Sequence, residues 1–312
     1  MYYPYFRGKQ YDLIAIRESA ELIAKSKFVP IIEPVKEALS GLNRTLTTLH
    51  EAGAELILIV NPTNGDHNTD PSAIDQLLKT ELKEHNKISP GVLLTERMTV
   101  DEIAQKCLDH ASRSVTLIHA GFTDARALAE KLRQTGIQAR HVFLEQHCVK
   151  PYRKHFIGST RILLKDGFKR QTANRLYPEL EVFSDLHVTY EEEAMDGFGD
   201  FLTVGDEYSE TGGPAYSVAI HLSFIDSNND DVMYIHHFKS NSNDTPTDPA
   251  GKFAEALKKL VQEVNSPNTK VIKTKAVNEF IELNSRRHFP GLGHVKKLSM
   301  CHHLQTLAHY FN

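Results

Sequence analysis

The sequence predicts an α/β chain folded as a TIM-type (β/α)8 barrel, with an added β-hairpin and C-terminal helices. Three observations predict it. Short apolar runs recur through roughly the first 170 residues, most stop abruptly on a polar or charged residue, and a stretch with helical apolar spacing follows. Parallel strands buried on both faces read as continuous apolar runs, and right-handed helical crossovers return the chain to the next parallel strand. Strand starts fall near residues 2, 28, 55, 90, 114, 139, 160 and 200, at intervals of roughly 21 to 40 residues, which suits successive βα units. An open doubly wound sheet shares this rhythm and is the rival architecture.

Residues 2–7 supply the first strand. The first helix covers 11–24, with Leu13, Ile16, Ala20 and Ile23 at helical spacing. The apolar runs 28–32, 56–60, 92–95, 115–118, 142–144 and 162–164 supply the next six strands. Helices over 42–52, 73–84, 100–110 and 125–135 fit between them, and Gly53 and Gly136 read as C-terminal stops. After Phe168 the rhythm breaks: residues 175–190 are polar and aromatic, and Glu191-Glu192-Glu193 reads as a solvated turn or helix start. Residues 201–204, ending at Asp206, are the candidate eighth strand. Gly197-Phe198-Gly199-Asp200 lacks the third glycine and the following helix of a dinucleotide fingerprint.

Residues 216–224 and 232–238 alternate as strands, and the Asp/Asn-rich joint at 226–231 makes them a hairpin near 216–240. Asp248-Pro249 opens a helix as N-cap and first-turn proline, with Phe253, Ala256, Leu257, Leu260, Val261 and Val264 on one face. Residues 276–312 read as two helices parted by Phe289-Pro290-Gly291. The economical division is a barrel over 1–265, hairpin included, and a C-terminal helical appendage over 266–312.

At 312 residues, 40% hydrophobic and 24% charged, the chain has an ordinary globular composition. Its formal net charge of −4 gives no support to broad electrostatic binding of nucleic acid, although Arg153, Lys154, Arg161, Lys165, Lys169, Arg170 and Arg175 crowd one stretch. Cys107, Cys148 and Cys301 are too few and too scattered for a disulfide framework or a zinc spacing. No apolar run approaches membrane-spanning length and the N-terminus lacks a signal-peptide core, so a reducing cytoplasm is the expected compartment.

In a barrel the polar residues that end the strands converge on one mouth, whatever their separation in sequence. Arg7 and Lys9 follow the first strand, Glu33 the second, Asn61 the third and Glu96-Arg97 the fourth. His119 follows the fifth, Glu145-Gln146 the sixth, Lys165-Asp166 the seventh and Asp206 the eighth. Two chemistries suit them. Glu33, Glu96, His119 and Glu145 offer the carboxylates and imidazole of a divalent-metal site, or act as catalytic acids and bases. Arg7, Lys9, Asn61, Arg97, Lys165, Asp166 and Asp206 would bind a small anionic ligand, phosphorylated or nucleotide-like. The alternative is an ionic plug in which these groups pair with one another. The turn formers at 61–66 read as a plain loop, and Gly212-Gly213-Pro214 as a flexible entrance to the hairpin. His236-His237 and His302-His303 read as polar or core histidines, because adjacent residues diverge on a strand or a helix.

Tyr3-Pro4-Tyr5-Phe6-Arg7-Gly8-Lys9-Gln10-Tyr11-Asp12, followed by Phe28-Val29-Pro30-Ile31-Ile32-Glu33-Pro34, resembles the opening of the beta-protein family of bacterial and phage proteins. Residues 200–216, Ile235-His236-His237-Phe238 and Asp248-Pro249-Ala250-Gly251-Lys252-Phe253 resemble a subgroup of it. The resemblance implies a barrel-like α/β fold, marks Lys9 and Glu33 as motif members, and suggests a role in phage defence beside nuclease-like partners. Asp12 stands one place later than the acid of that motif and carries no role. The leading expectation is an enzyme, with hydrolysis the favoured reaction. The other is a non-catalytic subunit that docks a nuclease-like or other protein partner.

Overall fold

A computed structural model describes residues 1–312. Eight parallel strands close into a barrel. They are β1 (Tyr2–Phe6), β2 (Ile31–Ile32), β3 (Leu56–Ile59), β4 (Ile88–Leu94), β5 (Val115–His119), β6 (Ala139–Leu144), β7 (Arg161–Leu164) and, after an excursion through β8 (Leu180–Ser184), β9 (Gly197–Asp200). Closure is direct, with β9 pairing in parallel with both β7 and β1. The rival open sheet is thereby excluded.

The first helical segment divides at Ser19 into α1 (Gln10–Glu18) and α2 (Ala20–Lys25). Then come α3 (Ser40–Glu51), α4 (Ser72–Lys79), α5 (Val100–Asp109), α6 (Ala125–Thr135) and the short α7 (Lys150–Arg153) and α8 (Leu186–Thr189). Thr99 and Glu102 form a capping box on α5, and Gly136 ends α6 in the left-handed conformation. Inside the barrel lies a core of 13 residues, among them Tyr3, Tyr5, Ile31, Ile57, Ile59, Leu93, Ile118, Leu144, Leu164 and Phe201. Alternate positions face outward into a larger core beneath the helices.

The eighth barrel strand is Gly197–Asp200, not residues 201–204. It has no apolar run because its interior face must stay small. A Cβ on Gly199 would stand 2.1 Å from the Tyr3 carbonyl oxygen, and one on Gly197 would stand 2.8 Å from the Tyr3 ring. The break in rhythm after Phe168 has a cause too. The chain leaves the barrel there to lay β8 antiparallel against the hairpin strand β11 (Val232–Lys239), which pairs with β10 (Ala219–Asp226), and only then returns as β9.

Helices α9 (Pro249–Val264), α10 (Lys275–Arg286) and α11 (Leu292–Phe311) complete the chain. The residues of α10 and α11 share the large core with the barrel helices. The Tyr11 ring of α1 lies so close over Gly293 of α11 that a Cβ would be 2.0 Å from it, and Lys297 donates to Glu18 at 2.8 Å. Residues 266–312 therefore pack as part of the barrel body. Because the Gly199 clash is with backbone, Gly199→Ala is expected to lower the free energy of unfolding by about 2–3 kcal/mol, read as an earlier denaturation midpoint with an unchanged slope.

Candidate functional site at the barrel mouth

The mouth is organised around Glu33, which is 0% exposed. Its carboxylate accepts from the Tyr5 hydroxyl at 2.9 Å, Arg7 Nη1 at 2.8 Å, the Thr63 and Asn64 amides at 3.1 and 3.2 Å, and Asn64 Nδ2 at 3.1 Å. So many donors satisfy the buried carboxylate oxygens and fix their position. Burial and the adjacent Glu33 charge push the Tyr5 hydroxyl well above its ordinary pKa, so it stays a donor. Residues 61–66 are thus more than a connection. Gly65, at φ +74°, lets that loop lie against Val35, where any Cβ would strike backbone at 2.1 Å, and Thr63 and Asn64 thereby reach Glu33.

Arg7 carries the cluster across the mouth. Its guanidinium pairs with Glu33 and with both the side chain and the carbonyl of Asp206, and it lies over the rings of Tyr5 and Phe201 at 5.1 and 5.6 Å. Asp206 also accepts from Gln146 Nε2 at 2.6 Å. Its own amide donates to Asp166 Oδ2 at 2.8 Å, while the Phe168 amide donates to Asp166 Oδ1 at 2.9 Å. Burial raises the Asp166 pKa, against the pull of these two amides.

Above this tier the segment after β9 crosses the mouth. Its Glu207 meets Arg170 at 3.4 Å, its Tyr208 ring sits 4.8 Å from Lys9 Nζ, its Ser209 carbonyl accepts from Lys9, and its Glu210 meets Lys36 at 3.2 Å. Arg7 Nε and the Tyr208 hydroxyl are buried without a hydrogen-bond partner.

The structure brings together Arg7, Lys9, Glu33, Asp166 and Asp206. It does not bring in the others. Glu96 and Arg97 are exposed on the turn after β4, and Glu145 is exposed at the start of the short helical turn Glu145–His147. Asn61 is spent on strand β4, donating to the Leu93 carbonyl at 2.9 Å and accepting from its amide at 2.8 Å. Lys165 lies 3.8 Å from Asp185, away from Glu33's partners. His119 is 0% exposed in the layer between barrel and helices, with Nδ1 on the Tyr152 hydroxyl at 2.7 Å and Nε2 on His141 Nδ1 at 3.0 Å. Burial and then His141 hold its pKa well below the ordinary value, so it is neutral and both nitrogens are engaged. The expected metal set of Glu33, Glu96, His119 and Glu145 is therefore corrected. No group of three His, Cys, Asp or Glu residues stands close enough to hold a metal ion.

The sequence reading missed Tyr5, Lys36, Thr63, Asn64, Arg170 and Tyr208 as members of the mouth. Gln146, at the end of the predicted sixth strand, joins the mouth through Asp206. A second polar series lies elsewhere: Tyr2 Oη donates to Asp200 at 2.7 Å, His303 Nε2 lies 3.1 Å from the other Asp200 oxygen, and Ser223 Oγ lies 2.8 Å from His303 Nδ1. It has the residue types of a hydrolytic triad, but Ser223 and His303 are 0% exposed and Asp200 5%, so no substrate reaches it. It joins α11 and β10 to the barrel. The three cysteines are free and buried, and burial pushes the Cys148 thiol up to about 12, which is the opposite of nucleophile activation.

No protein-family model and no curated protein matches the chain. Among solved structures it is similar to a truncated form of 3-deoxy-D-arabino-heptulosonate 7-phosphate synthase from Thermotoga maritima. That likeness has 11% identity and a TM-score of 0.39 and covers 64% of this chain and 75% of that one. It carries no argument about activity, and the TIM-barrel assignment stands on the closed strand order described above. No helix is long and apolar enough to cross a membrane.

Asp12, in the first turn of α1 behind Lys9, gives a pH signature. Burial raises its pKa to about 6. A carboxyl whose folded pKa lies above its unfolded one adds stability below about pH 4 that is lost as pH rises through about 6. Asp12→Asn should therefore leave stability near pH 4 little changed and raise it by about 1–3 kcal/mol at pH 8, as checked by denaturant titration at both pH values.

Proposed function

We propose that the protein is a TIM-barrel enzyme that binds a small anionic, phosphorylated or nucleotide-like ligand at the C-terminal mouth, with hydrolysis as its reaction. The observation that carries this reading is the gathering of Arg7, Lys9, Lys36 and Arg170 around carboxylates and a carbonyl at the mouth. Cations held at the carboxyl ends of barrel strands are placed to meet phosphate oxygens. Glu33 then serves as a fixed negative charge that orients Arg7. Asp166, whose pKa is raised by burial at the same mouth, is the proton-transfer group. The phage-defence setting belongs to the same proposal and rests on the resemblance of residues 3–12 and 28–34.

The test is a panel of phosphorylated compounds and nucleotides, scored by calorimetry and by phosphate release. Lys9→Ala should weaken binding of the responding compound about 5- to 50-fold, the loss of one charge-assisted contact. Asp166→Asn should keep binding and abolish turnover. A panel with no binder, or turnover untouched in Asp166→Asn, would remove the reading.

A non-catalytic subunit is the second reading, favoured by Leu176, Leu180 and Val182, which are 48%, 46% and 44% exposed on and beside β8. A nuclease-like partner would cover them. Leu180→Asp with Val182→Asp should then lose the partner in co-purification while the thermal midpoint holds. Retention of the partner speaks against this second reading.

A further inference from the structure

We infer that residues 207–211, hinged beside the anchored Asp206, form a lid whose own acidic groups stand in for the ligand, and that its displacement uncovers a site for a linear polyanion on Lys9, Lys36 and Arg170. This deepens the proposed function and rests on it.

The lid makes two unequal kinds of contact. At its root, Asp206 is held by the largely buried Arg7, by Gln146 and by Asp166. Beyond the root its two ion pairs lie at the surface, while Lys9, Tyr208 and Ser209 are partly buried. The side chains of Glu207 and Glu210 are 69% and 59% exposed, and those of Arg170 and Lys36 are 39% and 45%. Exposed ion pairs contribute little, because water screens them and ordering two long side chains costs entropy. Lys9 is bound to no carboxylate here. It has only the Ser209 carbonyl and the face of Tyr208.

Both ends of the lid can bend. Gly205 sits at φ +75°, a conformation that costs a glycine nothing. Gly212 and Gly213 have open space around them. Residues 207–211 can therefore swing while Asp206 stays anchored.

What replaces them follows from spacing. Arg170, Lys9 and Lys36 meet successive lid positions, Glu207, Tyr208-Ser209 and Glu210. At about 3.3 Å per residue at full extension, three steps of lid cover at most roughly 10 Å. Cations strung along such a line fit a chain of two or three phosphoryl groups better than a single one. A chain of phosphates also carries more charge than two carboxylates, so it wins the competition for the same cations.

The experiment uses the full chain with inorganic tripolyphosphate as probe, in wild type and in Glu207→Gln with Glu210→Gln. Affinity is read by calorimetry at low salt, and opening of the lid by amide hydrogen exchange. The probe should bind wild type and raise exchange across 207–213, with the Asp206 amide still protected by Asp166. It should bind the double variant roughly 3- to 10-fold tighter, because the competing carboxylates are gone. Orthophosphate should bind at least about 10-fold more weakly than tripolyphosphate, the loss of contacts to two of three cations. Equal affinity for wild type and variant with unchanged lid exchange overturns the lid while leaving anion binding at the mouth in place. Equal binding of orthophosphate and tripolyphosphate overturns the linear site. No binding to either protein, even with the lid charges removed, overturns the anion-binding reading and this inference with it.

Discussion

A carboxylate buried at the end of a barrel strand is costly unless donors surround it, since stripping water from an ion costs several kcal/mol even after relaxation. Glu33 sits in that position, and the mouth is arranged to meet the requirement. Its donors come from β1, through Tyr5 and Arg7, and from the loop after β3, through Thr63 and Asn64. Arg7 then extends the link to Asp206 beyond β9. One charge therefore ties together the ends of four strands: the first, second, third and last of the barrel. Two close approaches depend on glycine. At Gly8, φ +61°, a Cβ would meet the Glu33 carbonyl at 2.8 Å, and Gly65 lies still closer to Val35. The same constraint sets what the residue can do. Every oxygen of Glu33 is engaged by these donors, so the residue is placed to hold Arg7.

The flank of the barrel is fixed by a second buried device. Asp200, the last residue of β9, receives Tyr2 from β1 and His303 from α11, and His303 meets Ser223 of β10. Burial alone would raise the Asp200 pKa, yet His303 and the hydroxyl of Tyr2 outweigh it and the pKa is lowered. Closure of the barrel and docking of the added sheet thus share one carboxylate. Residues of α10 and α11 meanwhile lie in the large core with the barrel helices.

Much of this was legible in the residues, and the rest was hidden for a definite reason. The apolar runs gave seven strands and their order, because each is buried on both faces. That same double burial conceals which parity points inward. Counting by two from the interior residues Tyr5, Ile31, Ile59 and Leu164 reaches Arg7, Glu33, Asn61 and Asp166. Counting from the outward-facing Leu94, Leu117, Phe143 and Leu163 reaches Glu96, His119, Glu145 and Lys165. Taking whichever polar residue ended a run mixed the two sets. Gln146, one place beyond Glu145, has the inward parity and does meet Asp206. The eighth strand escaped because its signal is the absence of side chains at Gly197 and Gly199. Thr63 and Asn64 escaped because a loop has no period to count.

The mouth consequently has two tiers with different freedom. In the lower one, Glu33 is fully buried and Arg7 and Asp206 are 12% and 19% exposed in their side chains. Breaking that tier by removing one partner would strand a charge, at a cost of roughly 3–5 kcal/mol. In the upper one, pairs such as Lys36–Glu210 and Arg170–Glu207 are exposed and screened by water, so they hold the segment weakly. A ligand of ordinary affinity can exchange the upper contacts and cannot afford to break the lower. The mouth therefore has a fixed floor of Arg7 and Glu33 beneath an acidic segment held by weaker contacts.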